Sequence, residues 1–167
     1  MNKAWWVLLG VAAWQGAATL SEAAERRREF SAAAAFAEAK GKPLLVIGCQ
    51  DVPMWHPAGD VCLDINPKPS NFGGNNLVVA DIRRIPYPDN YFGAVFISHV
   101  LEHLETVADA RLALSEAARV GGKVFIVAPS RYNLHARLLR EHHLWIDKQD
   151  GIITISPMKL TERGFVG

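Results

Sequence analysis

The chain lacks any bias of charge. Its 167 residues carry 18 Lys and Arg against 17 Asp and Glu, a formal net charge of +1. A nucleic-acid partner calls for a basic stripe interleaved with aromatics, and none is present, so no nucleic acid is expected as a partner. Cysteine is scarce as well. Cys49 and Cys62 are the only two, each next to or inside an apolar run, which favours buried thiols over a secreted disulfide framework. No C-x-x-C occurs, which removes the commonest structural zinc sites. There is no internal repeat, and no low-complexity tract beyond the alanines of Ala32–Ala35. What the chain has in quantity is apolar residues, half of the total. That suits one globular domain with a sizeable core.

Positions 1–20 read as an apolar helix. Ala4 to Leu20 is uncharged and reaches the lower end of the roughly 17–25 residues that a spanning helix needs. Trp5 and Trp6 suit a membrane interface. The segment is expected to anchor the chain in a membrane. A soluble helix packed on the domain or on a partner is the alternative, and a signal peptide a third, although no small-residue cleavage site follows. On the anchor reading, Arg26-Arg27-Arg28 with Lys40 and Lys42 hold the downstream domain on the cytoplasmic side. Positions 21–42 predict a second helix, with Ser21 as N-cap, Glu22 and Glu25 near its positive end, and Gly41 and Pro43 as its stop. The arginine run reads as a solvated face.

From 43 to 167 the pattern changes to short apolar runs between turn residues. PLLVIGC, VCLDI, LVVADI, AVFIS and KVFIVA predict five strands, and GIITIS a sixth. A helix is predicted between the fourth and fifth, with Leu101, Leu104, Leu112 and Leu114 recurring at helical spacing. RYNLHARLLREHHLWI predicts another, with Leu134, Leu138 and Leu139 inward and His142, His143 and Trp145 bordering a pocket. Continuously apolar strands are what a parallel sheet covered on both faces requires. The fold class is therefore α/β: a Rossmann-like open, mostly parallel sheet of about six strands flanked by helices, preceded by the apolar helix. Ligands bind such sheets outside the carboxyl ends of the strands. Those ends carry Gly48-Cys49, Asp64, Asp81, Ser98-His99 and Pro129-Ser130.

One run at these ends spells a metal motif. His99, Glu102 and His103 fit H-x-x-E-H, in which two His bind zinc and a Glu serves as base. Here the run follows a strand instead of lying within a helix. A zinc peptidase also needs a third ligand, and Glu162 near the terminus is a poor candidate. No metal is expected.

The segments LLVIGC, VCLDINP, VVADIRRIPYPDNYFGAVFISHVLEHL and ARVGGKVFIVAPS resemble the class I S-adenosylmethionine-dependent methyltransferases, particularly their small-molecule branch. The resemblance covers most of Pro43 to Ser130. It implies S-adenosylmethionine as cofactor and a small or lipid-like molecule as substrate. It also implies cofactor contacts at Gly48, Cys49 and Gln50 in the first loop, at Asp64 and Ile65 for the ribose, at Asp81 and Ile82 for the adenine, and at Ser98. His99 is the first choice for a general base, with His103 and Glu102 beside it as further catalytic candidates. The first loop departs from the family pattern of acidic-x-G-x-G-x-G, with Val46, Gln50 and Val52 in place of the acidic residue and two glycines. That departure supports an alternative, a catalytically inactive domain of the same fold serving as a scaffold or binding partner. No N/D-P-P-Y follows the fourth strand, which disfavours methylation of amino groups in nucleic acid.

Overall fold

The computed structural model describes residues 3–49, 59–66 and 76–158. Gln50, Pro53, Pro57 and the C-terminal KLTERGFVG after Met158 lie outside the described residues. Good helix formers dominate the N-terminal stretch, and there the chain forms one unbroken helix, α1 (Lys3–Ala39). Ser21 thus sits inside a helix and does not cap a second one, because strong helix formers on both sides leave nothing to interrupt the backbone ladder. The helix stops before Gly41 and Pro43, as expected.

The expected membrane anchor is not supported. No helix among the described residues is long and apolar enough to cross a membrane. Alanines and the polar Gln15 and Thr19 dilute the apolar run, and Gln15 holds the helix to the domain. Its side-chain oxygen accepts from the Leu134 N–H at 3.0 Å, and its amide donates to the Tyr132 carbonyl at 3.2 Å. Farther along, Glu22 accepts from the Ser130 N–H and from Asn133 Nδ2, both at 2.8 Å. The side chains of Trp5, Trp6, Leu8 and Trp14 are exposed.

Five parallel strands make the sheet: β1 (Leu44–Ile47), β2 (Val61–Asp64), β3 (Leu77–Val79), β4 (Ala94–Ser98) and β5 (Val124–Val127). Their order is β3-β2-β1-β4-β5, with Leu44 opposite Ala94 and Leu45 opposite Val61 in register. This is a Rossmann-like α/β sheet. Alternation along each strand sends Leu44, Val46, Phe96 and Phe125 to one face, where Ala33 and Ala37 of α1 are buried against them. Phe30 of α1 meets Phe96 edge-to-face at 5.4 Å. Leu45, Ile47, Val95 and Ile97 point to the other face. There α2 (Val107–Val120) presents the small side chains Ala110, Ala113 and Ala117. Thr106 caps α2 by accepting from the Asp109 N–H at 3.0 Å. Leu112, one of the leucines at helical spacing, is half exposed.

The stretch after β4 is not one helix. A 3₁₀ turn (Leu101–His103) comes first and α2 follows it. The proline-rich turn before β4 is clamped by α2. Arg119 donates to the Ile85 and Tyr87 carbonyls at 3.0 and 2.8 Å, while Glu116 accepts from the Ile85 N–H at 3.0 Å. Beyond β5 the expected long helix is reduced to α3 (Leu134–Leu138), and Leu138 is exposed rather than inward. Leu144 then opens a strand, β6 (Leu144–Gln149), which pairs antiparallel with β7 (Ile152–Pro157). The hairpin is a separate two-stranded sheet, so among the described residues the main sheet has five strands. Its turn residues Asp150 and Gly151 both have positive φ, as a two-residue hairpin loop of the type I′ kind requires.

The Glu22 contacts give a test of how firmly α1 is docked. Charge-assisted hydrogen bonds contribute about 1.5–3 kcal/mol, and Glu22→Ala removes two, so a loss near the top of that range is expected. Urea unfolding should show a lower midpoint with an unchanged slope. An unchanged midpoint would mean that these bonds do not hold the helix.

Candidate active site

The site begins where β1 ends. Gly48 has φ +78°, and a Cβ there would collide with the Ser98 carbonyl oxygen and the Val100 side chain. Only glycine accepts both the left-handed backbone and the close approach. The ends of β1 and β4 therefore meet at the point where strand order reverses. A cavity of about 280 Å³ opens beside this contact. Ile47 and Gly48 form one wall, and Leu63, Asp64 and Ile65 at the end of β2 form the next. Asp81, Ile82 and Arg83 after β3 face them, and Val100, His103, Leu104 and Glu105 after β4 close the fourth side.

Of the expected cofactor residues, Gly48, Asp64, Ile65, Asp81 and Ile82 all line this one cavity. Asp64 Oδ1 accepts from the Asn66 N–H at 2.8 Å, which orients the carboxylate. Asp81 is engaged by its neighbour. Arg83 donates to it through Nε at 3.0 Å and Nη2 at 2.6 Å, and reaches on to Asp109 through Nη1 at 2.8 Å. The Arg83 hydrogen bonds hold the Asp81 carboxyl below its ordinary pKa. Two of the expected residues do not reach the cavity wall. Ser98 is buried behind it. Cys49 is paired with Cys62 in a disulfide, with Cα atoms 6.1 Å apart. This corrects the expectation of buried thiols: both side chains are buried, but adjacent parallel strands bring them together. Gln50 lies outside the described residues.

The catalytic candidates divide in the same way. His103 is exposed and lines the cavity. Glu102 lies beneath it at 1 % exposure. His99, the first choice for a base, is not on the cavity wall. It takes a left-handed φ of +54°, which turns the chain from β4 into the 3₁₀ turn. Its Nδ1 stands 3.4 Å from Glu102 Oε1. The ring of His142 packs edge-on against His103, with centroids 4.7 Å apart. Burial lowers the His142 pKa from its ordinary value, against the raising effect of Glu102, so the neutral ring is favoured. Trp145 is buried under Arg131 and does not border the cavity.

Reading the sequence missed two residues here. Arg83 follows Asp81 by two positions, a spacing at which an Asp side chain caps the backbone, and the Arg83 N–H does bond Asp81 Oδ1 at 2.8 Å. Arg26 was hidden in the arginine run. Arg27 and Arg28 are exposed, but Arg26 is buried at 4 % exposure. Burial lowers its pKa, opposed by the charge of Glu102. Its place on the inward face, four residues before Phe30, is the signal that distinguishes it.

Residues 56–126, less than half of the chain, match the model of a family described as a methyltransferase domain. The match spans β2 to β5 and so includes Asp64, Asp81 and the turn after β4. It supports a class I S-adenosylmethionine-dependent methyltransferase domain. Neither a curated protein nor a solved structure matches the chain.

Gly48 offers a direct test of the crevice. A side chain in a left-handed position costs about 1–3 kcal/mol even where there is room, and here there is none. Gly48→Ala should lower thermal stability by several degrees for a domain of this size. A melting temperature equal to that of the unaltered chain would show that β1 and β4 do not meet this closely.

Proposed function

We propose that the chain is an S-adenosylmethionine-dependent methyltransferase acting on an oxygen, carbon or nitrogen of a small or lipid-like molecule. One observation carries this reading. Two carboxylates, Asp64 and Asp81, end or follow consecutive parallel strands and face one cavity together with Gly48. The residues fit the cofactor. An ionised carboxylate is acceptor-only, which suits Asp64 to the paired ribose hydroxyls. Ile65 and Ile82 supply apolar surface on either side of the base. Asp81 accepts from the adenine amino group while sharing its carboxylate with Arg83. The bound cofactor supplies an electrophilic methyl group, and the chain supplies alignment of the acceptor with it. The turn that carries His99, Glu102 and His103 holds the acceptor and, where it bears a proton, removes that proton.

A second reading has one observation in its favour. Arg83, held in place by Asp109, already engages the Asp81 carboxylate, which suits a catalytically inactive domain used as a scaffold or binding partner. Calorimetry on the full chain separates the two. S-adenosylmethionine and its demethylated product should both bind, and Asp64→Ala should weaken binding about ten- to a hundredfold, the equivalent of roughly 1.5–3 kcal/mol. Asp64→Asn should be milder, since the amide keeps one acceptor. Absence of binding of either ligand at millimolar concentration by the folded chain would leave the scaffold reading standing.

A further inference from the structure

We propose that Glu102, His103 and His142 form a binding site for one divalent metal ion of the zinc and cobalt type, at the edge of the cavity. Each residue offers one ligand atom, and the three atoms lie within 4.8 Å of one another. Two imidazoles and a carboxylate suit Zn²⁺ and its first-row neighbours better than Mg²⁺ or Ca²⁺, which prefer all-oxygen sites. Donors at about 2.1 Å from one tetrahedral ion stand about 3.4 Å apart, so a closure of roughly 1–1.5 Å completes the site. His103 is exposed, and rotation of its side chain supplies that closure.

Glu102 is the residue that points to a ligand. Its side chain is 1 % exposed, and no described residue donates a hydrogen bond to either oxygen. A buried carboxylate in that condition is costly unless something else engages it. The basic side chains around it make no hydrogen bond to it. His99 Nδ1 stops 3.4 Å from Oε1 without hydrogen-bond geometry. Arg26 acts on Glu102 through its charge, again with no hydrogen bond to either oxygen. A metal ion accepts lone pairs directly and meets the requirement.

The support behind the site is already built. His142 is itself buried at 4 % exposure, which restricts the orientations open to its ring. The next residue ties the two ligand-bearing segments together, since the His143 N–H donates to the Glu102 carbonyl at 2.7 Å. This departs from the metal-free expectation for a definite reason. The H-x-x-E-H run has no third ligand nearby in sequence, whereas the segment leading into β6 brings His142 onto it. His103 also lines the cavity, so the open coordination positions of the ion would face the space assigned to the acceptor. The site shares a turn with the proposed function but does not rest on it, because its test reads metal and not cofactor.

The test uses the full chain, stripped with a chelator and titrated with Co²⁺. One equivalent per chain should bind saturably, with visible absorption bands of a low-symmetry site, and Zn²⁺ should displace it. Glu102→Gln, His103→Ala and His142→Ala should each weaken uptake by about tenfold or more. His135→Ala, an exposed histidine in the same region, should leave uptake unchanged. His103 is exposed, so its variant keeps the fold and decides the matter even where the buried variants do not fold. No saturable uptake, or uptake unchanged in His103→Ala, would overturn the proposal.

Discussion

The missing side chain at Gly48 is the constraint on which the rest of the arrangement depends. The Ser98 carbonyl and the Val100 side chain occupy the space that a Cβ at position 48 would need. Because they can enter it, the ends of β1 and β4 come together where the strand order reverses, with β2 and β3 to one side and β5 to the other. That reversal is where open α/β sheets form their ligand crevices. The left-handed His99 then turns the chain sharply, so that Leu101–His103 forms a short 3₁₀ turn over the crevice and α2 does not start until Val107. The carboxylates of Asp64 and Asp81, the apolar side chains between them and the imidazole of His103 reach one cavity as a result.

The long helix does two things for this arrangement. Its alanines and phenylalanines cover one face of the sheet, which lets β1 be apolar along its whole length and β4 from Ala94 to Ile97. Arg26 carries a charge inward to the ground beneath the turn after β4, where Glu102 is buried. Gln15 and Glu22 fix the helix to the segment Ser130–Leu134. The same helix therefore reaches both the electrostatics under the site and the loop that leads toward His142.

Much of this was legible in the sequence, and the failures have physical causes. The five strands of the sheet were readable because buried parallel strands are apolar without interruption, and Leu44–Ile47 and Ala94–Ser98 are buried at every position. Asp64 and Asp81 were readable because strand ends can be found without knowing side-chain directions. The membrane anchor was misjudged because an uncharged stretch is not the same as a strongly apolar one, and Gln15 turned out to have a partner far along the chain. The last helix was overextended because leucines at Leu134, Leu138 and Leu139 mimic a helical stripe, while the stronger signal was Asp150-Gly151, the turn of a hairpin. The meeting of Arg26 and His142 around Glu102 could not be found by reading along the chain, although His142 was expected beside a pocket and the spacing of Arg26 to Phe30 was a signal for its burial. Each takes its surroundings from residues distant in sequence, and Glu102 is what they share.

On the proposed function, the crevice between β1, β2 and β4 holds the adenosyl cofactor. The most direct measurement is a crystal structure of the full chain grown with S-adenosylhomocysteine. The nucleoside should occupy the cavity, with both ribose hydroxyls on the Asp64 carboxylate and the base between Ile65 and Ile82. An empty cavity at saturating ligand, or a nucleoside bound elsewhere on the molecule, would contradict it.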